Sequence, residues 1–403
     1  MKFDLIVIGA GPGGIFTALE AASRGLKVAI LEKNKRIGSK ILVAGSGKCN
    51  LTHSGKPKEF LDKYGENGKF LKVALNKFSP DKLKDFFKEK GLPLVLVEES
   101  GKYFPNTFSS LDVVNLLNNE LLKKGVKLFF NVVIENIEKN EELFFIKSKD
   151  IEFSCDKLMI ATGGKSYPGT GTTGEGYIFA KKLGHKIIPP QPALAPIFIK
   201  NYKFSELSGI SFPQAIISFW KKDIKIIEKK GPILFTHTNL SGPGILDNSR
   251  YVEHDTKIEI NYIYEKYEYA LKKFIEEVNI NGKQSIKKYL SQYILPERFL
   301  KFTLQLLEVK DETKIAEISK LKREEILKYI SSNKLEITKV AGFENAMVTK
   351  GGVSLEEINS KTMESKIVEN LYFAGEVIDI DGDTGGYNIQ GACSMGVLAG
   401  RSM

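Results

Sequence analysis

The segment that most narrows the fold of this chain is Phe3-Asp4-Leu5-Ile6-Val7-Ile8-Gly9-Ala10-Gly11-Pro12-Gly13-Gly14. A short apolar run with strand character leads directly into G-x-G-x-x-G, the spacing with which a strand–turn–helix receives a dinucleotide phosphate. Each glycine has its own physical reason. Gly9 permits the turn, Gly11 lets the backbone approach a pyrophosphate, and Gly14 lets helix and strand pack closely. Ile15 to Arg24 then reads as a helix and Leu26 to Leu31 as a second parallel strand, ending at Glu32, 18 residues after Gly14. Glu32 is placed to accept hydrogen bonds from ribose hydroxyls, and its carboxylate disfavours a 2′-phosphate. The expected occupant is therefore FAD or NAD rather than NADP.

Gly169-Thr170-Gly171-Thr172-Thr173-Gly174 repeats the spacing, but Lys165-Ser166-Tyr167-Pro168 precedes it where a strand should stand. It does not read as a second nucleotide fold. The strand nearby is Lys157 to Ala161, running into Thr162-Gly163-Gly164. The rest of the chain is ordinary for a folded protein: 403 residues, 42% apolar and 27% charged, enough for two or three domains. Cys49, Cys155 and Cys393 are odd in number and far apart, and the four histidines lack ligand spacing, so neither a disulfide framework nor a metal site is expected. The N-terminus carries no signal-peptide pattern and no stretch approaches a membrane span, so the expectation is a soluble cytoplasmic protein. The unusual number is the charge, 59 basic against 49 acidic residues, a net +10 that invites an anionic partner.

From about residue 190 the texture changes. Pro189-Pro190-Gln191-Pro192 reads as a linker, after which Ala195 to Ile199, Gln214 to Trp220 and Ile224 to Glu228 read as short antiparallel strands. Residues 264–332 have helical periodicity, with Tyr269, Leu271, Phe274 and Val278 on one helix and Ile326, Leu327 and Ile330 on another. After about 340 the glycine-rich apolar segments return. The organisation is an insertion, β part then α part, inside a discontinuous nucleotide-binding domain. Near the C-terminus Asn370 to Val377 reads as a strand ending in Ala374-Gly375-Glu376. An acidic turn, Gly385-Gly386-Tyr387-Asn388-Ile389 and a small-residue helix from Gly391 to Gly400 follow. Asp379, Asp381 and Asp383 lack the Gly and bidentate Glu of a calcium loop.

These blocks carry a family resemblance. The glycine fingerprint with Glu32, Gly45-Ser46-Gly47-Lys48-Cys49-Asn50-Leu51-Thr52, Ala161-Thr162-Gly163-Gly164 with Ser166-Tyr167-Pro168, Phe235-Thr236-His237 through Leu240-Ser241-Gly242-Pro243, Val348 to Val353, and the block from Tyr372 to Gln390 together resemble the BaiN/YhiN-like family of FAD-dependent oxidoreductases. The resemblance spans essentially the whole chain. It implies an α/β fold: a glutathione-reductase-type, Rossmann-like FAD-binding domain interrupted by a β-barrel-like segment and a helical segment. The corresponding boundaries are 1–190 and 356–403 for the FAD-binding domain, 191–262 and 333–355 for the barrel-like part, and 263–332 for the helical part.

The cofactor-binding residues expected on this basis are Gly9, Gly11, Pro12, Gly13, Gly14, Glu32 and Lys33, then Lys40, Gly45, Ser46, Gly47, Lys48 and Asn50. Val133, Ala161, Thr162 and Gly163 follow, and Gly375, Glu376, Asp383, Gly386, Tyr387, Asn388 and Ile389 complete the set. FAD carries the hydride chemistry in such enzymes, and NAD(P)H is expected as a transient electron donor because no second nicotinamide fold stands in the chain. Cys49, His237 and Tyr167 are the candidate catalytic groups. Each has a packing alternative: an inert buried cysteine, a satisfied barrel histidine and a packed tyrosine. The family that the chain resembles includes members that reduce a uridine double bond in ribosomal RNA, reduce bile-acid enones or oxidise aminoacetone. Residues 192–340 hold 25 Lys/Arg against 19 Asp/Glu, a net +6, which favours 23S ribosomal RNA as substrate, giving dihydrouridine. A small-molecule enone reductase or amine oxidase stands beside that reading, as does a flavin-binding redox sensor without turnover.

Overall fold

The computed structural model describes residues 1–403. Its chain divides into two units, residues 1–193 with 343–403, and residues 194–342. The first unit is built on the strand Lys2–Ile8, whose Leu5, Ile6 and Val7 are wholly buried. A strand covered on both faces must be apolar without alternation, as Leu5 to Ile8 are, whereas Lys2 and Asp4 in its first half are exposed. Val28–Leu31 pairs parallel on one side and Glu152–Ile160 parallel on the other, with Lys127–Phe129 beyond Val28–Leu31. Glu152–Ile160 has two neighbours on its far side. Its first half pairs antiparallel with Phe144–Ser148, and its last residues pair parallel with Leu371–Phe373. Only Glu152–Ile160 separates the C-terminal strand from the N-terminal one, and Ala374, just past the former, meets Gly13, so the first and last segments of the chain come together.

Helix Tyr387–Ser402 packs on helix Pro12–Ser23 through missing side chains. A Cβ on Gly396 would lie 2.4 Å from the Gly13 carbonyl oxygen, and one on Gly400 2.8 Å from the Thr17 carbonyl oxygen. The small-residue pattern of the last helix is thus a packing requirement.

The expected linker is instead a strand. Ile187–Ala193 pairs antiparallel with Val348–Val353, and the register slips between Ile188 and Gln191, where Pro189 and Pro190 can donate no ladder hydrogen bond. Residues 191–193 and 343–355 therefore belong to the first unit, not to the insertion as their position suggested.

The second unit contains a closed barrel, in the order Ile197–Ile199, Leu240–Ser241, Ile224–Phe235, Ser211–Lys221, Thr256–Asn261 and Asn333–Val340. Ile217, Phe219, Ile233, Phe235, Ile258 and Ile260 fill its core. Helices Tyr267–Asn281, Ile286–Leu290, Glu297–Leu306 and Lys320–Ser331 lie between its fifth and sixth strands in sequence. Ile326, Leu327 and Ile330 are wholly buried. The expected face of the helix at 267–281 is displaced: Ala270 and Phe274 are buried while Tyr269 is exposed, its ring under the Lys273 ammonium at 5.3 Å. No helix is long and apolar enough to cross a membrane.

Candidate functional site

At the end of Lys2–Ile8, Gly9 turns with φ +98°, and a Cβ there would stand 2.5 Å from the Ala161 carbonyl oxygen. The Ala161 amide in turn donates to the Ile8 carbonyl at 2.9 Å, so the two strand ends close on each other. Gly11 is the residue before helix Pro12–Ser23, and a Cβ on it would meet nothing within 4 Å. Gly14 is the opposite case: its Cβ would lie 2.1 Å from the Gly9 carbonyl oxygen. Gly13 backs onto Ala374 at 3.2 Å. An open approach over Gly11 therefore faces the first-turn amides of Gly13 and Gly14, which have no intrahelical partners, at the positive end of the helix dipole.

Glu32 is buried at the end of the second strand. Its carboxylate accepts the Ala10 amide at 2.8 Å and the Asn34 amide at 2.9 Å. Two such bonds leave part of the lone-pair capacity of a carboxylate free for a further donor. The Glu32 carbonyl accepts the Val132 amide at 3.1 Å, which sets the exposed Val133 beside this strand end. Lys33 is held elsewhere: its ammonium contacts both Glu175 oxygens, at 2.5 and 2.7 Å, and the Thr173 hydroxyl at 2.8 Å. The second glycine repeat thus lies alongside the first fold as a loop, a short 3-10 turn at Pro168–Thr170 with left-handed Gly171 and Gly174.

The C-terminal strand brings Gly375, left-handed at φ +82°, and Glu376 to the same region as the N-terminal helix. Glu376 is engaged at both oxygens, with Lys40 at 2.7 Å and the Thr349 amide at 3.0 Å. Thr349 is the residue that motif reading passed over. Its hydroxyl, wholly buried, accepts the Lys165 amide at 2.8 Å and the Ser166 amide at 3.1 Å, and lies 2.9 Å from the Ser166 hydroxyl. The turn after Ala161-Thr162-Gly163 is thereby tied to Glu376 and Lys40. The only advance signal was membership of both Ser166 and Thr349 in family blocks, since nothing in their spacing pairs them.

Gly45, Ser46, Gly47 and Cys49 all have positive φ, between +56° and +85°. Left-handed Ser46 and Cys49 are costly, and such strain concentrates at functional loops. Gly45, Ser46 and Lys48 are exposed and Asn50 half-buried. A Cβ on Gly45 would stand 3.1 Å from the Asn50 amide nitrogen. Cys49 points inward, is wholly buried, and desolvation pushes its thiol up to about 12.

Gly386, at φ +96°, precedes the last helix, and a Cβ on it would be 2.8 Å from the Thr52 backbone. The Thr52 hydroxyl is buried there without a partner. Tyr387 is packed rather than presented, stacked on His53 at 5.0 Å and edge-on to Phe60 at 4.9 Å. Asn388 closes the acidic turn by accepting the Gly382 amide and donating to the Gly382 carbonyl, both at 2.8 Å. Asp383 is buried, and its amide donates to the Lys63 carbonyl at 2.8 Å. Ile389 is half-buried against the core.

Tyr167 is left-handed at φ +58° and 42% exposed, with its amide bonded to the Phe343 carbonyl at 2.9 Å. His237 is not the interior barrel histidine of the packing alternative. It is exposed on a turn closed by Thr236, whose hydroxyl bonds to Asn239. His237 belongs to the second unit and the other site residues to the first.

A family model described as the HI0933-like protein Rossmann domain matches residues 3–402. The chain is 33% identical over 396 residues to the ribosomal RNA dihydrouridine synthase of Haemophilus influenzae, covering 96% of this chain and 95% of that protein. It is 29% identical over 405 residues to the 3-dehydro-bile acid delta(4,6)-reductase of Clostridium scindens, covering 98% of each. Among solved structures, the 3-ketosteroid delta1-dehydrogenase of Sterolibacterium denitrificans covers 99% of both chains with a TM-score of 0.54 at 12% identity, a likeness of fold.

Proposed function

This chain belongs to the HI0933-like Rossmann family of FAD-dependent oxidoreductases, and from that membership we propose that it reduces the C5=C6 bond of a uridine in 23S ribosomal RNA. The observation that carries this reading is the full-length similarity to a relative bearing that activity in its name. A basic second unit, 25 Lys/Arg against 19 Asp/Glu over residues 194–342, supports it. Such a substrate would be met in the cytoplasm.

FAD fits the residues present. The open approach over Gly11 admits a pyrophosphate, Glu32 keeps lone pairs for ribose hydroxyls, and the unpartnered Thr52 hydroxyl beside Gly386 awaits a polar atom. Bound FAD would supply the hydride chemistry that this reduction needs, with NAD(P)H as the transient source of the two electrons. We assign Gly9, Gly11, Pro12, Gly13 and Gly14 to the pyrophosphate, Glu32 to the ribose, and Val133, Ala161, Thr162 and Gly163 to the flanking walls. Ser46, Lys48 and Asn50, with Gly45 and Gly47 shaping their loop, take the ring side together with Gly375 and Gly386. Glu376, Lys40, Lys33, Tyr387 and Asn388 act by holding these segments, because their polar or aromatic groups are already engaged within the protein, and the buried Asp383 and half-buried Ile389 act with them.

The proton that C5 requires must come from a group that a substrate can reach, and Cys49 is wholly buried in the core. Tyr167 and His237 are the donors we retain. Mass spectrometry of ribosomal RNA from a strain lacking the gene tests the reading. We expect loss of dihydrouridine, restored by the wild-type gene and less well by the Tyr167→Phe gene, and unchanged dihydrouridine would reject it. The similarity to the bile acid reductase supports a second reading, reduction of a small cyclic enone. That reading predicts intact ribosomal dihydrouridine and enone-dependent NAD(P)H oxidation.

A further inference from the structure

We propose that the exposed hairpin Ser211–Lys221 and Ile224–Phe235 is a docking surface for single-stranded RNA, with Trp220 as a stacking platform and the exposed Lys222, Lys229 and Lys230 as phosphate-binding groups. The proposal rests on the ribosomal RNA reading and says which part of the second unit would hold the strand.

Side chains alternate across a strand. Phe219 is wholly buried in the barrel core, so Trp220 faces outward. In register its neighbours are Lys225 on one side and Lys257 on the other. The Lys225 and Lys334 ammonium groups lie 5.1 and 5.5 Å from the indole centre. Trp220 is the single tryptophan of the chain, and its N–H is shielded from water without an acceptor. That arrangement is a lysine-framed aromatic ring with an unused donor.

Charge decides the partner. The hairpin from 211 to 235 holds five lysines against Asp223 and Glu228, a net +3. Lys225 is matched by Glu228, and Lys334 lies 3.9 Å from Glu259, so these two frame the ring. Lys222, Lys229 and Lys230 are exposed and form no ion pair with any carboxylate. Lys230 stands 5.7 Å over Tyr264, a second aromatic side chain that is 42% exposed. Unpaired lysines beside outward-facing aromatic rings match the phosphates and bases of a single strand. Base stacking on such rings tolerates any sequence, and phosphate neutralisation gives the affinity its salt dependence.

The experiment titrates the full-length, FAD-loaded protein with a twelve-nucleotide oligouridylate, following Trp220 emission and the polarisation of a labelled strand. Binding should change Trp220 emission. The triple variant Lys222→Gln, Lys229→Gln, Lys230→Gln should bind about tenfold more weakly, with a slope of log affinity against log salt shallower by about 2, at roughly 0.7 for each single-strand phosphate that no lysine neutralises any longer. Trp220→Phe should abolish the emission signal and keep most of the salt slope. Equal affinity of the triple variant and wild type would overturn the surface, as would equal displacement of the strand by polyglutamate, which would mark a surface that reads charge alone. The ribosomal dihydrouridine measurement is independent of this one. If dihydrouridine depends on the gene but the triple variant binds and modifies RNA normally, the docking surface fails while the functional reading stands.

Discussion

Gly11 and Gly14 stand three residues apart and answer to different neighbours. A methyl on Gly14 would be driven into the Gly9 carbonyl at 2.1 Å, whereas one on Gly11 would enter open space. Gly14→Ala should therefore destabilise the protein itself by about 3 kcal/mol, seen as a lower melting temperature with or without added FAD. Gly11→Ala should leave the melting temperature of the flavin-free protein nearly unchanged and lower flavin retention, because only an arriving pyrophosphate meets the new methyl. A Gly11→Ala protein that purifies with full flavin would remove Gly11 from the phosphate site. At this scale the glycine fingerprint was legible from spacing alone. The roles of Glu376 and Lys40 were not, because their commitment to each other and to Thr349 depends on where three distant segments meet.

Among the elements, helix Glu175–Lys182 carries a titratable group just past its end. His185 is buried with its ring edge-on to Phe373 at 5.0 Å. The Ser365 hydroxyl accepts the amides of Ile367 and Val368, so its own hydrogen is free to be donated to His185 Nε2 at 2.8 Å. Nδ1–H then donates to the Ala180 carbonyl at 3.3 Å. This pattern needs a neutral ring, and burial moves the pKa below its ordinary 6.5. The folded state binds a proton less readily than the unfolded chain, so the contribution of His185 is full above 6.5 and is lost as the pH falls through the lower folded value. Chemical denaturation across that range should show wild type losing stability on acidification more steeply than His185→Gln, and parallel curves would refute the assignment. Element types at the N-terminus were readable because the buried part of the first strand, Leu5 to Ile8, is apolar without a break. The strand Ile187–Ala193 was hidden because three of its seven residues are prolines, and only pairing with Val348–Val353 across a register slip makes it a strand.

Over the whole molecule, one unit is interrupted by another. Ala193 lies opposite Val348 on adjacent antiparallel strands, so the chain leaves the first unit and returns to it at nearly the same place. Each unit has its own apolar cluster. Replacing residues 194–342 with a short Gly/Ser linker should thus leave a first unit that folds and binds FAD, checked by flavin absorbance and circular dichroism, while abolishing RNA affinity. A flavin-free or unfolded product would show that the first unit depends on the insertion. Local spacing, periodicity and composition were enough to reveal the nucleotide-binding start, the acidic strand end, the nested order of the segments and the excess of positive charge. Long-range packing, by contrast, is what seals Cys49, exposes His237, commits Tyr387 to its aromatic neighbours and joins the turn after Ala161 to Glu376 through Thr349. Burial and hydrogen-bond partners arise between residues as distant in the chain as Lys40 and Glu376, 336 positions apart, and no local pattern encodes which of them meet.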